Sequence, residues 1–162
     1  MILGVHSATF VKNWHEDITP YIIKCKKAGY KSVEVSLLGQ TPSSAKEIAK
    51  LAKDLNISLA CTTGLAKGED ISSSNKLIQK NGVEALKRAI DLTSIMQSKL
   101  LTGVVHTAWG ISDSMGKDKE AKFTNSAQSI KEISSSLIEK DIKLGIEPLN
   151  RYESDFINTV DE

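Results

Sequence analysis

Short β-branched runs alternate with longer amphipathic stretches from one end of the chain to the other, and this limits the fold more than any other feature of the sequence. Residues 2–6 read as a first strand. Ile18, Tyr21, Ile22 and Cys25 then recur at helical spacing until Gly29 stops the helix. Strict alternation over residues 32–36, Ser-Val-Glu-Val-Ser, predicts a second strand. Ser43 or Ser44 is placed to cap a helix that carries Ile48, Leu51, Ala52 and Leu55 on one stripe and ends near Asn56. Residues 57–62 make a third strand, followed by a polar loop rich in Gly, Glu, Asp and Ser, then by a long helix with Val83, Leu86, Ile90 and Thr93 on one face. A fourth strand, 100–106, leads into a hydrophilic stretch, 110–119, long enough to act as a lid over a site. Ala127, Ile130, Ile133, Leu137 and Ile138 mark the next helix, and 143–147 a fifth strand that Pro148 terminates.

Such an order of strands and helices demands right-handed crossovers and a mainly parallel α/β sheet. Two architectures satisfy it. A five-stranded doubly wound sheet of the flavodoxin type would be complete at about this length, whereas a (β/α)8 barrel needs roughly 250 residues and would be cut just past halfway. Periodicity does not choose between them. Residues 158–162 read as an N-cap, Asn158, followed by acids in a first helical turn. A lone helix start has little stability because nucleation is costly, so the sequence reads as one domain, 1–162, interrupted where the helix after strand five begins.

Composition narrows the partners. At 162 residues the chain can bury one sizeable core, and its formal net charge of +1 offers no broad field for gathering phosphates. Nucleic acid and anionic membrane are therefore not expected as partners, and small neutral ligands are. The two cysteines, Cys25 and Cys61, lie far apart and follow no signal segment, so both are expected as free thiols in a cytoplasmic protein. Apolar runs fall far below the roughly 18 residues of a bilayer span.

In parallel α/β folds the ligand sits at the carboxyl ends of the strands. Strand one delivers His6 and Ser7, with Trp14 in the following loop; strand two delivers Glu34 and Ser36; strand three delivers Cys61, Thr62 and Thr63. Strand four ends in His106, Thr107 and Trp109, and strand five in Glu147 followed by Asn150, Arg151 and Glu153. Charges and indoles thus converge on one rim. Each has a plain structural reading. Glu147 follows an apolar strand and precedes a proline, so a half-buried carboxylate is expected, held either for chemistry or in an ion pair with Arg151. Glu153 is as readily a solvated loop residue. The indoles serve either as packing or as a platform for a sugar or base. His6 and His106 lack partners at ligand spacing and read as hydrogen-bonded rim residues. Glu34 points either outward or into a barrel, and Cys61 reads as an inert apolar filler. No Gly-x-Gly-x-x-Gly fingerprint, phosphate loop, Gly-x-Ser-x-Gly elbow or receiver-type acidic cluster is present, which leaves the doubly wound alternative without a ligand site.

Residues 145–153, Gly-Ile-Glu-Pro-Leu-Asn-Arg-Tyr-Glu, resemble the strand-five signature of the ketose 3-epimerases, the D-tagatose and D-psicose 3-epimerase family of xylose-isomerase-like TIM barrels. Gly4-Val5-His6-Ser7 with Trp14, Ala60-Cys61-Thr62-Thr63-Gly64-Leu65 and Thr107-Ala108-Trp109 are similar to that family's first, third and fourth strand ends. The resemblance spans the chain but corresponds to the N-terminal half of a family member. It implies a partial TIM barrel in which Glu147 is both a metal ligand and one of two acid/base carboxylates. Glu153 would hydrogen-bond the substrate near its C1 to C2 end, Trp14 and Trp109 would line the sugar pocket, and His6, Thr62 and His106 would add contacts. The family's other metal ligands, an Asp, a His and a Glu, come from later strands. The implied cofactor is Mn, Co or Mg, which one carboxylate would not hold tightly, and the implied partner is a ketose sugar. Sugar-phosphate epimerases, hydroxypyruvate isomerase, inosose dehydratase and three-zinc AP endonucleases are the enzyme rivals. Charge and the Cys61 position disfavour the endonuclease. A non-catalytic half-barrel, forming a homo-oligomer through open strand edges, is the other alternative.

Overall fold

The computed structural model describes residues 2–110 and 115–162. Five parallel strands, β1 (Gly4–His6), β2 (Ser32–Ser36), β3 (Ser58–Leu65), β4 (Leu100–Ala108) and β5 (Lys143–Leu144), form one sheet in the order β1-β2-β3-β4-β5. Four helices connect them: α1 (Thr19–Lys27), α2 (Pro42–Asp54), α3 (Lys76–Ile95) and α4 (Lys119–Glu139). The order decides between the two architectures. A doubly wound sheet must reverse its winding to bring a later strand beside β1, whereas here every strand lies next to its predecessor, as in a sector of a (β/α)8 barrel.

All four helices end in the same way. Gly29, Asn56, Gln97 and Asp141 take positive φ of 91°, 50°, 56° and 52° just beyond their helices. The next residue's N–H then reaches back to close a Schellman turn: Tyr30 to the Cys25 carbonyl, Ile57 to Ala52, Ser98 to Thr93 and Ile142 to Leu137, at 2.9–3.1 Å. Successive helices also pack on one another, α1 on α2, α2 on α3 and α3 on α4.

Between sheet and helices lies one core, with Ile22, Val35, Leu86, Ile90, Leu101, Val105 and Ile133 all fully buried. Glu34 alternates with Val33 and Val35 and so faces the opposite, barrel-interior side, where it accepts a hydrogen bond from Thr102 Oγ1 at 3.0 Å. Gly103 has φ +112°, and a Cβ there would sit 2.2 Å from the Thr63 carbonyl oxygen, so only glycine allows β3 and β4 to approach this closely. Beyond it the register slips: Gly64 pairs with Val104 but Leu65 with Ala108.

Several sequence expectations are corrected. Helix α2 is capped by Thr41 rather than Ser43 or Ser44; Pro42 takes the first helical position, and Thr41 and Ser44 form a reciprocal capping box. The β3–α3 connection, polar in sequence as expected, nevertheless buries Asp70, Ile71, Ser72 and Ser73. Helix α4 buries Lys122, Ser126, Ser129, Ile133 and Leu137, leaving Ile130 half-buried, Ala127 exposed and Ile138 79% exposed. The reason is hydrogen bonding: Ser126 Oγ donates to the His106 carbonyl and Ser129 Oγ to those of Asn125 and Ile71, so small polar residues occupy the buried stripe. Strand β5 is short, but Gly145 and Glu147 still donate to the Leu101 and Gly103 carbonyls, carrying its direction to the rim. Residues 158–162 contain no helical turn, because the Asn158 carboxamide donates to the Leu149 and Ser154 carbonyls instead of accepting from a first turn. The centre of the expected lid, 111–114, lies outside the described residues.

Candidate active site

The strand ends open into a cleft of about 170 Å³ lined by His6, Trp14, Thr62, Trp109, Glu147 and Glu153, together with Ser36, Thr63, Gly64 and three apolar side chains. Six of the seven residues to which the family resemblance assigns a role therefore meet in one place. No Lys or Arg lines the cleft among the described residues.

Each side chain is held by a local device. His6 caps the short 3-10 turn that follows β1, its Nδ1 accepting from the Ala8 N–H at 2.9 Å. That bond leaves the neutral ring's proton on Nε2. Trp14 lies edge-on between His6 and Trp109, with ring centroids 6.5 Å and 6.4 Å away, so the three rings form one wall. Trp109 is fixed through its backbone, whose N–H donates to the Leu65 carbonyl at 2.8 Å. Thr62 spans to β4 by donating to the Thr102 carbonyl at 3.3 Å.

The two carboxylates differ. Glu153 is half-buried and accepts from the Asn150 side-chain amide and, at 3.4 Å, from the indole N–H of Trp109. Asn150 in turn accepts from the backbone N–H groups of Tyr152 and Glu153, forming the turn that presents the acid. Glu147 is exposed, contrary to the half-buried expectation, because β5 is the edge strand of this sheet. Its carboxylate forms no hydrogen bond or ion pair with any described residue. The suspected partner, Arg151, instead contacts Asn158 Oδ1 at 3.4 Å.

His106 is the exception. It is fully buried outside the cleft, its ring packed on Phe156 at 5.7 Å and its Nε2 donating to the Phe156 carbonyl at 3.3 Å. Burial pushes its pKa below the usual imidazole range, against the opposing pull of that hydrogen bond. Its Nδ1 finds no partner among the described residues. Sequence position at a strand end misled here because the register slip after Gly103 re-aims the last residues of β4. Apolar Leu38, Val104 and Leu149, which carry no chemical signal in the sequence, complete the cleft.

Both thiols are free and buried. Burial raises Cys61 to about 11, so it is an inert filler beside the Met96 sulfur at 3.6 Å. A larger cavity of about 380 Å³ adjoins the cleft beside α2 and α3. Its Arg88 and Glu69 are spent on each other at 3.1 Å, and neither indole nor Glu147 reaches it.

Among the described residues no three His, Cys, Asp or Glu side chains are grouped to hold a metal. An unpartnered carboxylate at an oxygen-lined rim nevertheless suits one ligand position of a hard divalent ion, which takes about six donors. No helix of the described residues is long and apolar enough to cross a membrane.

A parallel sheet wound in strand order, with its polar residues at the strand tips, is the arrangement of a (β/α)8 barrel. The chain belongs to the xylose isomerase-like TIM barrel family, whose model matches residues 22–162. Its relatives include D-psicose 3-epimerase of Agrobacterium fabrum, 28% identical over 98% of this chain and 56% of that protein. D-psicose 3-epimerase of Enterocloster bolteae is 25% identical over 100% of this chain and 56% of that protein. A crystal structure of D-psicose 3-epimerase with D-fructose matches at a TM-score of 0.90 and 26% identity, covering 98% of this chain and 56% of the other. The chain thus spans about half the length of the curated relatives it matches.

Proposed function

We propose that this chain supplies the β1 to β5 part of the active site of a metal-dependent ketose 3-epimerase. One observation carries the reading: the only acid at the rim without a partner among the described residues, Glu147, shares a cleft with two indoles and a hydrogen-bonded second acid. Epimerising C3 of a ketose requires removal of a carbon-bound proton beside the C2 carbonyl, and a carboxylate of pKa about 4.3 is a weak base for that step. A divalent ion, held in part by Glu147, would supply Lewis-acid stabilisation of the enediolate.

The chain's own residues do the rest. Glu147 takes the C3 proton or returns it from its side of the sugar; in this proposal the second acid, on the opposite face, is left to polypeptide beyond the described cleft residues. Glu153, fixed by Asn150 and Trp109, accepts from sugar hydroxyls, and His6 donates through Nε2. The wall of His6, Trp14 and Trp109 covers the apolar face of the carbon chain and excludes water.

The test compares ketose epimerisation in Mn²⁺ by this chain and by a form extended to the length of the relatives. The proposal expects turnover only in the extended form, and loss of it on Glu147→Gln. Turnover by the short chain, or an unaffected Glu147→Gln variant, would refute it.

A further inference from the structure

A lysine with only 3% of its side chain exposed stands on α4, outside the cleft and unused by the chemistry above. Lys122 Nζ lies 2.5 Å from Asp155 Oδ1. Taking such a charge out of water is costly unless it is paired, so the geometry of the pair is strongly determined. The other oxygen of Asp155 accepts from the Gly116 N–H at 2.7 Å, and the ammonium also sits 5.8 Å above the ring of Phe156. Phe156 is fully buried against His106 and Phe123. Thus one ion pair joins three elements: helix α4, the end of the β4–α4 connection and the segment 149–158 that follows β5.

That segment carries Asn150 and Glu153 to the cleft, and it is under tension. Ile157, a β-branched residue, is held at φ 54°, a conformation such residues rarely adopt. Its backbone N–H bonds stay within the segment, Leu149 to Ile157 and Ser154 to Asn150, and form no ladder with the sheet; beyond the segment, His106 Nε2 donates to the Phe156 carbonyl and the Trp109 indole to Glu153. A second tie to α4, Lys119 to Glu162, is half exposed to water and therefore weaker.

We propose that the Lys122–Asp155 pair is the latch that fixes the 149–158 segment, making Lys122 and Asp155 positioning residues for the Glu153 carboxylate. The latch acts through the segment and touches no sugar. Its effect on sugar affinity rests on the epimerase reading, but its effect on the segment does not.

The experiment is hydrogen exchange on the full chain and on its Lys122→Met and Asp155→Asn variants, with tryptophan emission recorded in parallel. The latch predicts that the amides of Leu149, Ser154 and Phe156 exchange at least about tenfold faster in both variants. Those of β2 and β3 keep their rates, and emission shifts as Trp109 loses Glu153. A double variant should match the singles, because either change alone opens the pair. Unchanged segment amides, or equal loss of protection across β2 and β3, would overturn the proposal. In the extended enzyme the same variants should raise KM for the ketose with kcat little changed, and a fall in kcat alone would contradict positioning. A wild type that binds no ketose, with segment amides that still respond, would refute the epimerase reading and leave the latch standing.

Discussion

Two strand-end connections of similar composition lead to opposite outcomes. After β3, Asp70 is fully buried, and its Oδ1 alone accepts from the Ser72 N–H and hydroxyl, the Thr107 hydroxyl and the Ala108 N–H. After β5, Glu147 stands at the rim with no described partner while Glu153, six residues later, is half saturated. The difference separates structure from chemistry: an acid whose acceptor capacity is filled by the fold knits loops together, and one left open is available to a ligand.

The sharpest break in that comparison comes from activity. In an extended, active form, Glu147→Gln should lower turnover by at least about 100-fold. The same change should alter unfolding free energy by less than about 0.5 kcal/mol, since an exposed side chain without partners supports nothing. Asp70 should behave the other way. Asp70→Ala strands several buried donors and should cost about 3 kcal/mol in urea unfolding, with Asp70→Asn recovering part of it because one oxygen remains. A stability loss at Glu147 matching that at Asp70 would erase the distinction.

Acid offers a smaller effect, at Asp155. Desolvation pushes this carboxyl up, but the hydrogen bonds from Lys122 and Gly116 outweigh it and leave its pKa below the usual value. A carboxyl depressed in the folded state adds stability that is complete above its unfolded pKa of about 3.9 and disappears as pH falls through the folded value. The stability gap between the wild type and Asp155→Asn should therefore be present at neutral pH and close as the pH drops below that point, as urea titrations across pH would record. The smallest effect is chemical. With its pKa at about 11, Cys61 should resist thiol reagents in the native chain and react on unfolding.

Where the signal was local, the sequence was legible. Strict alternation defined β2 to the residue, and the stripe of Val83, Leu86, Ile90 and Thr93 on α3 is buried throughout. Six cleft residues were readable because strand ends in parallel sheets collect ligand contacts. Burial that depends on tertiary partners was not readable. Nothing local announces that Lys122 is buried while Ile138 is exposed, because the buried stripe of α4 follows hydrogen bonds to carbonyls of other elements and an ion pair 33 residues away. The Asp70 network is hidden in the sequence for the same reason, although Ile71 within the polar run hints at burial. His106 was misplaced because a register slip cannot be counted from alternation.

The central claim is that Glu147 exchanges the C3 proton of a keto sugar. Proton NMR of a ketose incubated in D2O with Mn²⁺ and the extended protein reads this directly. The account predicts deuterium at C3 with the wild type and none above background with Glu147→Gln, at equal folded concentration. Undiminished C3 labelling by that variant would contradict it.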